Sequence, residues 1–320
     1  MKIVVLDGYA MNPGDLSWTG MEEIGELTLY ERTEKEVILE RIAHAEIVLT
    51  NKVVLSREIL EKAPSVKYIG VMATGYNVVD TDAARELGIL VTNVPAYSTV
   101  SVAQLVFAFI LEFCHHVGEH SRAVREGAWT ASKDFTFWNY PLIELDNKTL
   151  GIIGYGAIGQ AVAKLALSFG MNIKVYSRTE KKELENDKLK FTGLQQLLEH
   201  SDFISLHCPL TEETKGLINA DSLSRMKTGA YLINTSRGPV IDEQAVADAL
   251  NSGKLAGAAV DVVSAEPIKA ENPLLGAKNC IITPHFAWAP VEARIRLMNT
   301  LIANIEAYLK GNPINVVNRK

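Results

Sequence analysis

The sequence predicts an α/β chain built of two doubly wound parallel-sheet domains with a cleft between them. Three observations carry that prediction. Short apolar runs alternate with charged amphipathic runs over residues 1 to 95, and the alternation resumes at Thr149. Strands that alternate with helices make a parallel sheet covered on both faces. Between the two series, after the break Pro95-Ala96-Tyr97-Ser98, a long apolar-rich helical pattern starts at Thr99. At residues 154 to 159, three glycines stand where a strand pattern gives way to a helix pattern.

In the first series the strand candidates are Ile3–Leu6, Ile47–Leu49, Tyr68–Met72 and Leu90–Thr92, with helical patterns such as Thr33–His44 and Arg57–Lys62 between them. The helix from Thr99 is expected to reach about Gly118 or beyond. Residues 127 to 141 then hold Trp129, Phe135, Phe137, Trp138 and Tyr140 without periodicity, which suggests a loop packed on its own domain or on another subunit. The second series gives six strands: Leu150–Ile153, Ile173–Tyr176, Phe203–Leu206, Tyr231–Asn234, Ala258–Val262 and Ile281–Thr283. Helical patterns lie at Gly193–His200, Asn219–Arg225 and Glu243–Ser252. A final helix over Glu292–Leu309 is expected to return to the first domain. The division is therefore 1–98 with 288–320, and 99–287.

Composition narrows the function classes. The 320 residues suit two ordinary domains, and 48% hydrophobic with 22% charged residues suits a folded core. A net charge of -6 and a pI of about 5.7 argue against a nucleic-acid partner. Cys114, Cys208 and Cys280 are too few and too widely spaced for a disulfide framework, so a reducing, cytoplasmic setting is expected. The most apolar stretch, Val100 to Cys114, is interrupted by Gln104 and Glu112 and is too short to span a bilayer. No membrane partner is expected. Met1–Asp7 reads as a strand ending in an acid, not as a signal peptide. His116 and His120 are four apart with His115 adjacent, but no acid or cysteine cluster completes a metal site, and none is expected.

The glycines read as a dinucleotide fingerprint. The run Leu150-Gly151-Ile152-Ile153 leads straight into Gly154-x-Gly156-x-x-Gly159, and an amphipathic helix follows from Gln160. Gly154 permits the tight turn, Gly156 lets the backbone approach a pyrophosphate, and Gly159 lets helix and strand pack closely. The pyrophosphate would then meet free N–H groups at the positive end of the helix. In the first series, the loop Ala73-Thr74-Gly75-Tyr76-Asn77 follows a strand and could form an anion nest.

Three polar groups fall just after strands of the second domain: Arg237, Glu266 and His285. Taken singly, each residue type at such a place is more often structural. Their joint placement is what singles them out. Together with Val71–Asn77, Asn93–Ser98, Val102–Gln104, Leu206–Leu210, Val260–Val262 and the glycine fingerprint, they make the chain resemble the D-isomer-specific 2-hydroxyacid dehydrogenases over nearly its whole length. The likeness is strongest to the glycerate dehydrogenase (hydroxypyruvate reductase) group, on Ala73–Asn77, the segment near Trp138 and Phe286-Ala287-Trp288.

The resemblance implies a Rossmann dinucleotide-binding domain and a flavodoxin-like substrate domain. It also implies reduction of a small 2-keto acid, hydroxypyruvate or glyoxylate, to the D-hydroxy acid. His285 would give the proton, being the side chain that titrates near neutrality. Glu266 would orient its ring and favour imidazolium. Arg237 would meet the substrate carboxylate with a matching fork of donors. Ala73, Thr74 and Gly75 would bind the same substrate, and Trp288 would either limit its size or pack. Gly154, Tyr155, Gly156, Ala157, Ile158 and Gly159 would line the pyrophosphate turn. His207, Cys208, Pro209 and Thr214 would flank the adenosine half. Thr235, Ser236, Arg237, Asp261 and His285 would lie near the nicotinamide, with Asp261 accepting from its amide.

An acid about 20 residues beyond the glycines marks NAD-selective folds. Here the second strand ends in Val175-Tyr176-Ser177-Arg178-Thr179, and the first acid is Glu180. Ser177, Arg178 and Thr179 suit a 2′-phosphate, so NADP(H) is favoured and NAD(H) stays open. A dinucleotide-sensing corepressor of the same fold is the alternative function. Formate dehydrogenase is disfavoured because Glu266 stands where that group resembles a Gln pattern. A homodimer is expected, with Trp138 placed to reach a neighbouring active site.

Overall fold

Apolar runs in this chain become strands wherever both of their faces can be covered. In the computed structural model, which describes residues 1–319, the backbone divides into two compact units. One is Met1–Ser98 with Trp288–Lys320, and the other is Thr99–Ala287.

The first unit holds five parallel strands: β1 (Lys2–Val5), β2 (Glu26–Leu29), β3 (Ile47–Thr50), β4 (Tyr68–Val71) and β5 (Leu90–Thr92), in the order β2-β1-β3-β4-β5. Every residue of β3 and β4 is buried. Two-sided burial is what a central parallel strand requires, and it explains the unbroken apolar runs. The period of two then sorts side chains between two cores. Val4 and Val48 enter one, while Ile3, Val5, Ile47 and Leu49 enter the other, where they meet helix Val291–Leu309.

The second unit holds seven parallel strands: β6 (Thr149–Ile153), β7 (Asn172–Tyr176), β8 (Leu189–Phe191), β9 (Phe203–Leu206), β10 (Ala230–Asn234), β11 (Leu255–Val260) and β12 (Cys280–Ile282), in the order β12-β11-β10-β9-β6-β7-β8. The same alternation recurs. Ile153, Leu232 and Val260 face one core, and Ile152, Ile233 and Ala259 face the other. Helix Thr99–His115 covers the second face beside helix Ala157–Ser168, burying Val106, Phe109, Ile110 and Phe113. Phe113 contacts Tyr231 at 4.9 Å between ring centroids, and Tyr231 stacks on Phe203 at 4.9 Å.

The structure departs from the sequence reading in four places. The second sheet has seven strands instead of six, because the edge strand β8 is three residues long, too short for its alternation to stand out from the charged stretch around it. β2 is likewise an edge strand, mostly exposed, so its apolar residues leave a weak pattern. The helix from Thr99 stops at His115, where His116 takes a left-handed φ of 46°, and a new helix runs over Val117–Arg125. Within Thr33–His44, only Lys35–Val37, as a 3₁₀ turn, and Ile38–Ile42 are helical. Among the described residues no single helix is long and apolar enough to cross a membrane.

Candidate active site

The register of the seven-stranded sheet decides which residues meet at its edge. Ile153 pairs with Tyr176 and with Leu206, Leu206 with Asn234, Asn234 with Val260, and Val260 with Ile282. The next residue on each strand is therefore Ser177, Gly154, His207, Thr235, Asp261 or Thr283, all level along the carboxyl edge. The chain reverses its winding between β6 and β9, and ligands of open α/β sheets bind at that point. Gly154 and His207 flank it.

There the two loops touch. Gly154 has φ 97°, and a Cβ on it would stand 2.6 Å from the backbone nitrogen of Cys208. A Cβ on Gly159 would stand 2.2 Å from the carbonyl oxygen of Gly154. Beside Gly156, by contrast, no atom lies within 4 Å of where a Cβ would be. The three glycines thus do different work, and only Gly156 opens onto free space. It caps helix Ala157–Ser168 without a side-chain bond, and the N–H groups of Ala157 and Ile158 find no acceptor among the described residues. The hydroxyl of Thr235 is also buried with no partner there. Open space at Gly156, free helix N–H groups and an orphaned hydroxyl at the same edge fit a bound dinucleotide.

Other residues expected at the cofactor are placed with restrictions. The ring of Tyr155 turns into the core against Phe191, so only its main chain is available. His207 turns its ring inward, with Nε2 2.9 Å from the hydroxyl of Ser205, and burial pushes its pKa down to about 3. Cys208 is buried and its thiol is raised by burial. Thr214 closes its own loop, donating to the carbonyl of Pro209 at 2.6 Å and accepting the N–H of Thr211 at 2.7 Å. Ser177 is half-buried, while Arg178 and Thr179 are exposed. The Thr211 hydroxyl and its own backbone N–H hold Glu213 below the usual carboxylate range, with a smaller pull from Arg178.

The expected catalytic groups sit on loops held by buried polar residues. Asn234 accepts the N–H and hydroxyl of Ser236 at 3.0 and 2.9 Å and donates to the carbonyl of Arg237 at 2.9 Å. Arg237 itself is exposed, and its guanidinium donates to the carbonyl of Ser236 at 2.7 Å. No carboxylate pairs with it among the described residues. Gly238 lets this loop press on the next: a Cβ would stand 2.0 Å from the carbonyl carbon of Val263. Glu266, on that next loop, accepts the N–H of Val263 at 3.3 Å through Oε1, and its Oε2 lies 2.8 Å from Nδ1 of His285. His285 has a left-handed φ of 52°. That turn is secured by Asp261, only 1% exposed, whose carboxylate accepts the hydroxyl of Thr283 at 2.7 Å and the N–H groups of Phe286 and Ala287 at 3.0 and 2.9 Å. Burial raises the Asp261 carboxyl, and these three donors oppose the rise. The structure therefore commits Asp261 first to the His285 turn.

In the first unit, the winding reverses between β1 and β3. That point is closed by the protein itself. Asp7 accepts the N–H groups of Asn51, Lys52 and Val53 at 2.8, 2.5 and 3.1 Å. The open N–H groups lie one strand further on, after β4, where those of Thr74 and Gly75 have no acceptor among the described residues. Ala73 packs against the core beneath them. Trp288 packs against the other core of this unit, which is a packing role in its own right.

His120 spends both ring nitrogens on structure. Nδ1 lies 3.0 Å from the carbonyl of His116, and Nε2 accepts the N–H of Asn139 at 3.1 Å. His116 stacks on Tyr140. No metal-binding group of side chains occurs among the described residues. Asn234 and Gly238 were missed by sequence reasoning. A polar residue ending a buried apolar strand is the signal that could have found Asn234, whereas Gly238 leaves none, since its contact is with a distant loop.

Comparison with known proteins places these features in context. The model for the D-isomer specific 2-hydroxyacid dehydrogenase NAD-binding domain matches residues 107–287. The chain is 54% identical to a hydroxypyruvate reductase of Blautia hydrogenotrophica over 322 residues, covering 100% of both. It superposes on a D-lactate dehydrogenase of Aquifex aeolicus complexed with NAD and lactic acid with a TM-score of 0.86, 32% identity and 100% coverage of both chains. It also superposes on an acyclic imino acid reductase (Bsp5) in complex with NADPH and D-Arg with a TM-score of 0.85 and 31% identity, covering 99% of this chain and 100% of that one.

His207 carries a pH prediction. Its folded pKa lies below the unfolded value near 6.5, so its contribution is complete above about pH 6.5 and is lost as pH falls towards 3. Between pH 6.5 and 5 the loss is about 2 kcal/mol. In His207→Gln, urea unfolding at pH 7 and pH 5 should show less acid destabilisation than in the wild type. An equal drop in both proteins would contradict a buried neutral imidazole.

Proposed function

Because the chain belongs to the D-isomer specific 2-hydroxyacid dehydrogenase family and is an oxidoreductase of that kind, we propose that it reduces hydroxypyruvate, or glyoxylate, to D-glycerate or glycolate. The observation that carries the reading is the Glu266–His285 pair at 2.8 Å on a turn fixed by Asp261, with the cation Arg237 on a loop of the same sheet edge. The name of the Blautia hydrogenotrophica relative supports the choice of keto acid.

When bound, a reduced nicotinamide would supply the hydride for the keto carbon. The chain's own residues do the rest. With Nδ1 held by Glu266, Nε2 of His285 carries the proton that passes to the carbonyl oxygen as it becomes a hydroxyl. Arg237 holds the substrate carboxylate and polarises the adjacent carbonyl. The free N–H groups of Thr74 and Gly75 offer an anion-binding turn for a substrate carboxylate. Gly156, Ala157 and Ile158 would hold the cofactor's pyrophosphate, and Thr235 would offer its hydroxyl to the same cofactor. Oδ2 of Asp261 accepts only one N–H in the structure, which leaves it an acceptor site for the nicotinamide amide. Ser177, Arg178 and Thr179 favour NADP(H).

The deciding experiment follows reduced-cofactor absorbance with hydroxypyruvate, glyoxylate and pyruvate, each with NADPH and NADH. Fast oxidation with hydroxypyruvate and NADPH is the expected result, and Arg178→Leu should raise KM for NADPH well above any change for NADH. No turnover with any keto acid would remove the proposal. Glu266→Gln keeps the side chain's size but removes its charge. It should lower kcat by a factor on the order of 10² while leaving cofactor binding intact. An unchanged kcat would remove Glu266 from the mechanism.

A homodimer is part of the same proposal. Trp129, Phe135 and Trp138 stand exposed on the second unit, as do Val117 and Leu142, which is the apolar exposure an interface would cover. Sedimentation should give a dimer, and Trp138→Ala should weaken it or alter the kinetics. No change in either measurement would exclude the assignment.

A further inference from the structure

The loop carrying the N–H groups of Thr74 and Gly75 is hung on its neighbour. The carbonyl of Ala73 accepts the N–H of Val94 at 3.0 Å, and that of Thr74 accepts Nδ2 of Asn93 at 2.7 Å. The hydroxyl of Thr74 donates to the carbonyl of Val94 at 2.8 Å. Asn93 is itself held from the opposite side. Its carbonyl accepts Nδ2 of Asn304 at 2.9 Å, and its N–H donates to the carbonyl of Asn315 at 3.2 Å. Nδ2 of Asn315 then donates to Oδ1 of Asn304 at 2.8 Å. A continuous polar chain thus runs from Asn315 through Asn304 and Asn93 to the carbonyl of Thr74.

Its position is unusual for asparagine. Asn304 is fully buried on helix Val291–Leu309, between turns that bury Leu301 and Ile305. An amide there is tolerated only because both of its ends are bonded. An apolar side chain of the same size would leave the Asn93 carbonyl and Nδ2 of Asn315 without their partners. The amide's distinct contribution is direction: it fixes Asn93, and Asn93 fixes Thr74. Asn315 adopts φ 52°, which asparagine tolerates better than most residues. The segment after it is bonded to β5. Val317 donates to the carbonyl of Val91, and Asn318 bonds the N–H of Val91 and the carbonyl of Ile89 at 3.0 and 2.8 Å.

We propose that Asn304 and Asn315 are positioning residues for substrate binding, setting the direction of the Thr74 and Gly75 N–H groups through Asn93. This rests on the reading of that loop as the holder of the substrate carboxylate. The C-terminal segment then does more than complete a sheet edge, because it orients an anion-binding loop built from residues more than two hundred positions earlier.

The test measures KM and kcat for hydroxypyruvate, the Kd of NADPH by fluorescence, and the thermal midpoint, in the full chain. Asn304→Leu removes the central amide. Asn315→Gly removes only the side-chain link, because glycine keeps the left-handed backbone. Asn304→Leu should raise KM roughly fivefold or more, as expected for a lost buried hydrogen bond, with NADPH affinity unchanged. Asn315→Gly should move KM the same way by less, and the double variant should be no worse than Asn304→Leu alone. An unmoved KM in either folded variant would overturn the proposal, as would additive effects in the double variant. If Asn304→Leu does not fold, Asn315→Gly decides alone. Wild-type turnover is measured first: its absence removes both this proposal and the function it rests on, whereas turnover with unmoved KM removes only this one.

Discussion

Parallel strands in matched register constrain this molecule more than any single bond. A parallel strand must return by a crossover, so each one sends its following loop out at the same edge. In the second unit the pairings from Tyr176 through Ile153, Leu206, Asn234 and Val260 to Ile282 leave six loop-starting residues level. Residues as far apart in the chain as Gly154 and His285 therefore reach one edge of one sheet. The chemistry follows from this placement: a glycine turn and free helix N–H groups where the winding reverses, then Arg237, Glu266 and His285 on successive loops beyond it.

The loops need a second device, since their backbones leave the sheet with N–H groups unpaired. Buried or half-buried polar side chains at strand ends provide it. Asn234 shapes the Arg237 loop, Asp261 shapes the His285 turn, and Asp7 closes the reversal point of the first unit. In each case an oxygen removed from water takes several donors from one loop, so the loop can relax only by leaving a buried acceptor unsatisfied. The candidate groups Arg237 and His285 are held from one layer below, by Asn234 and Asp261. The asparagines beneath Thr74 extend the same device into the first unit.

Much of this was legible in the residues. Alternating apolar and amphipathic runs specified two parallel α/β units, because strands buried on both faces leave unbroken apolar runs, as in β3 and β4. The glycine fingerprint was legible because backbone close approach admits only one residue type. The edge strands β2 and β8 were not, since a short strand with one exposed side carries almost no periodic signal. The break at His116 was equally hidden, because a left-handed residue that is not glycine leaves no compositional mark. Arg237, Glu266 and His285 could be singled out by their positions after strands, but nothing in their spacing showed the 2.8 Å contact between Glu266 and His285.

What the sequence determined by itself was the class of fold, the place of the glycine turn and the types of side chain that follow the strands of the second unit. These depend on local period and on the steric demands of single residues. Only the tertiary structure decided how those side chains are held. It turned the rings of Tyr155 and His207 inward, committed Asp261 to the turn of His285, pressed Gly238 against Val263 and joined Asn315 to Thr74. Each of these contacts joins groups that the folded chain brings together in directions no local pattern encodes, and a hydrogen bond between side chains exists only once both partners have been positioned by the folded core.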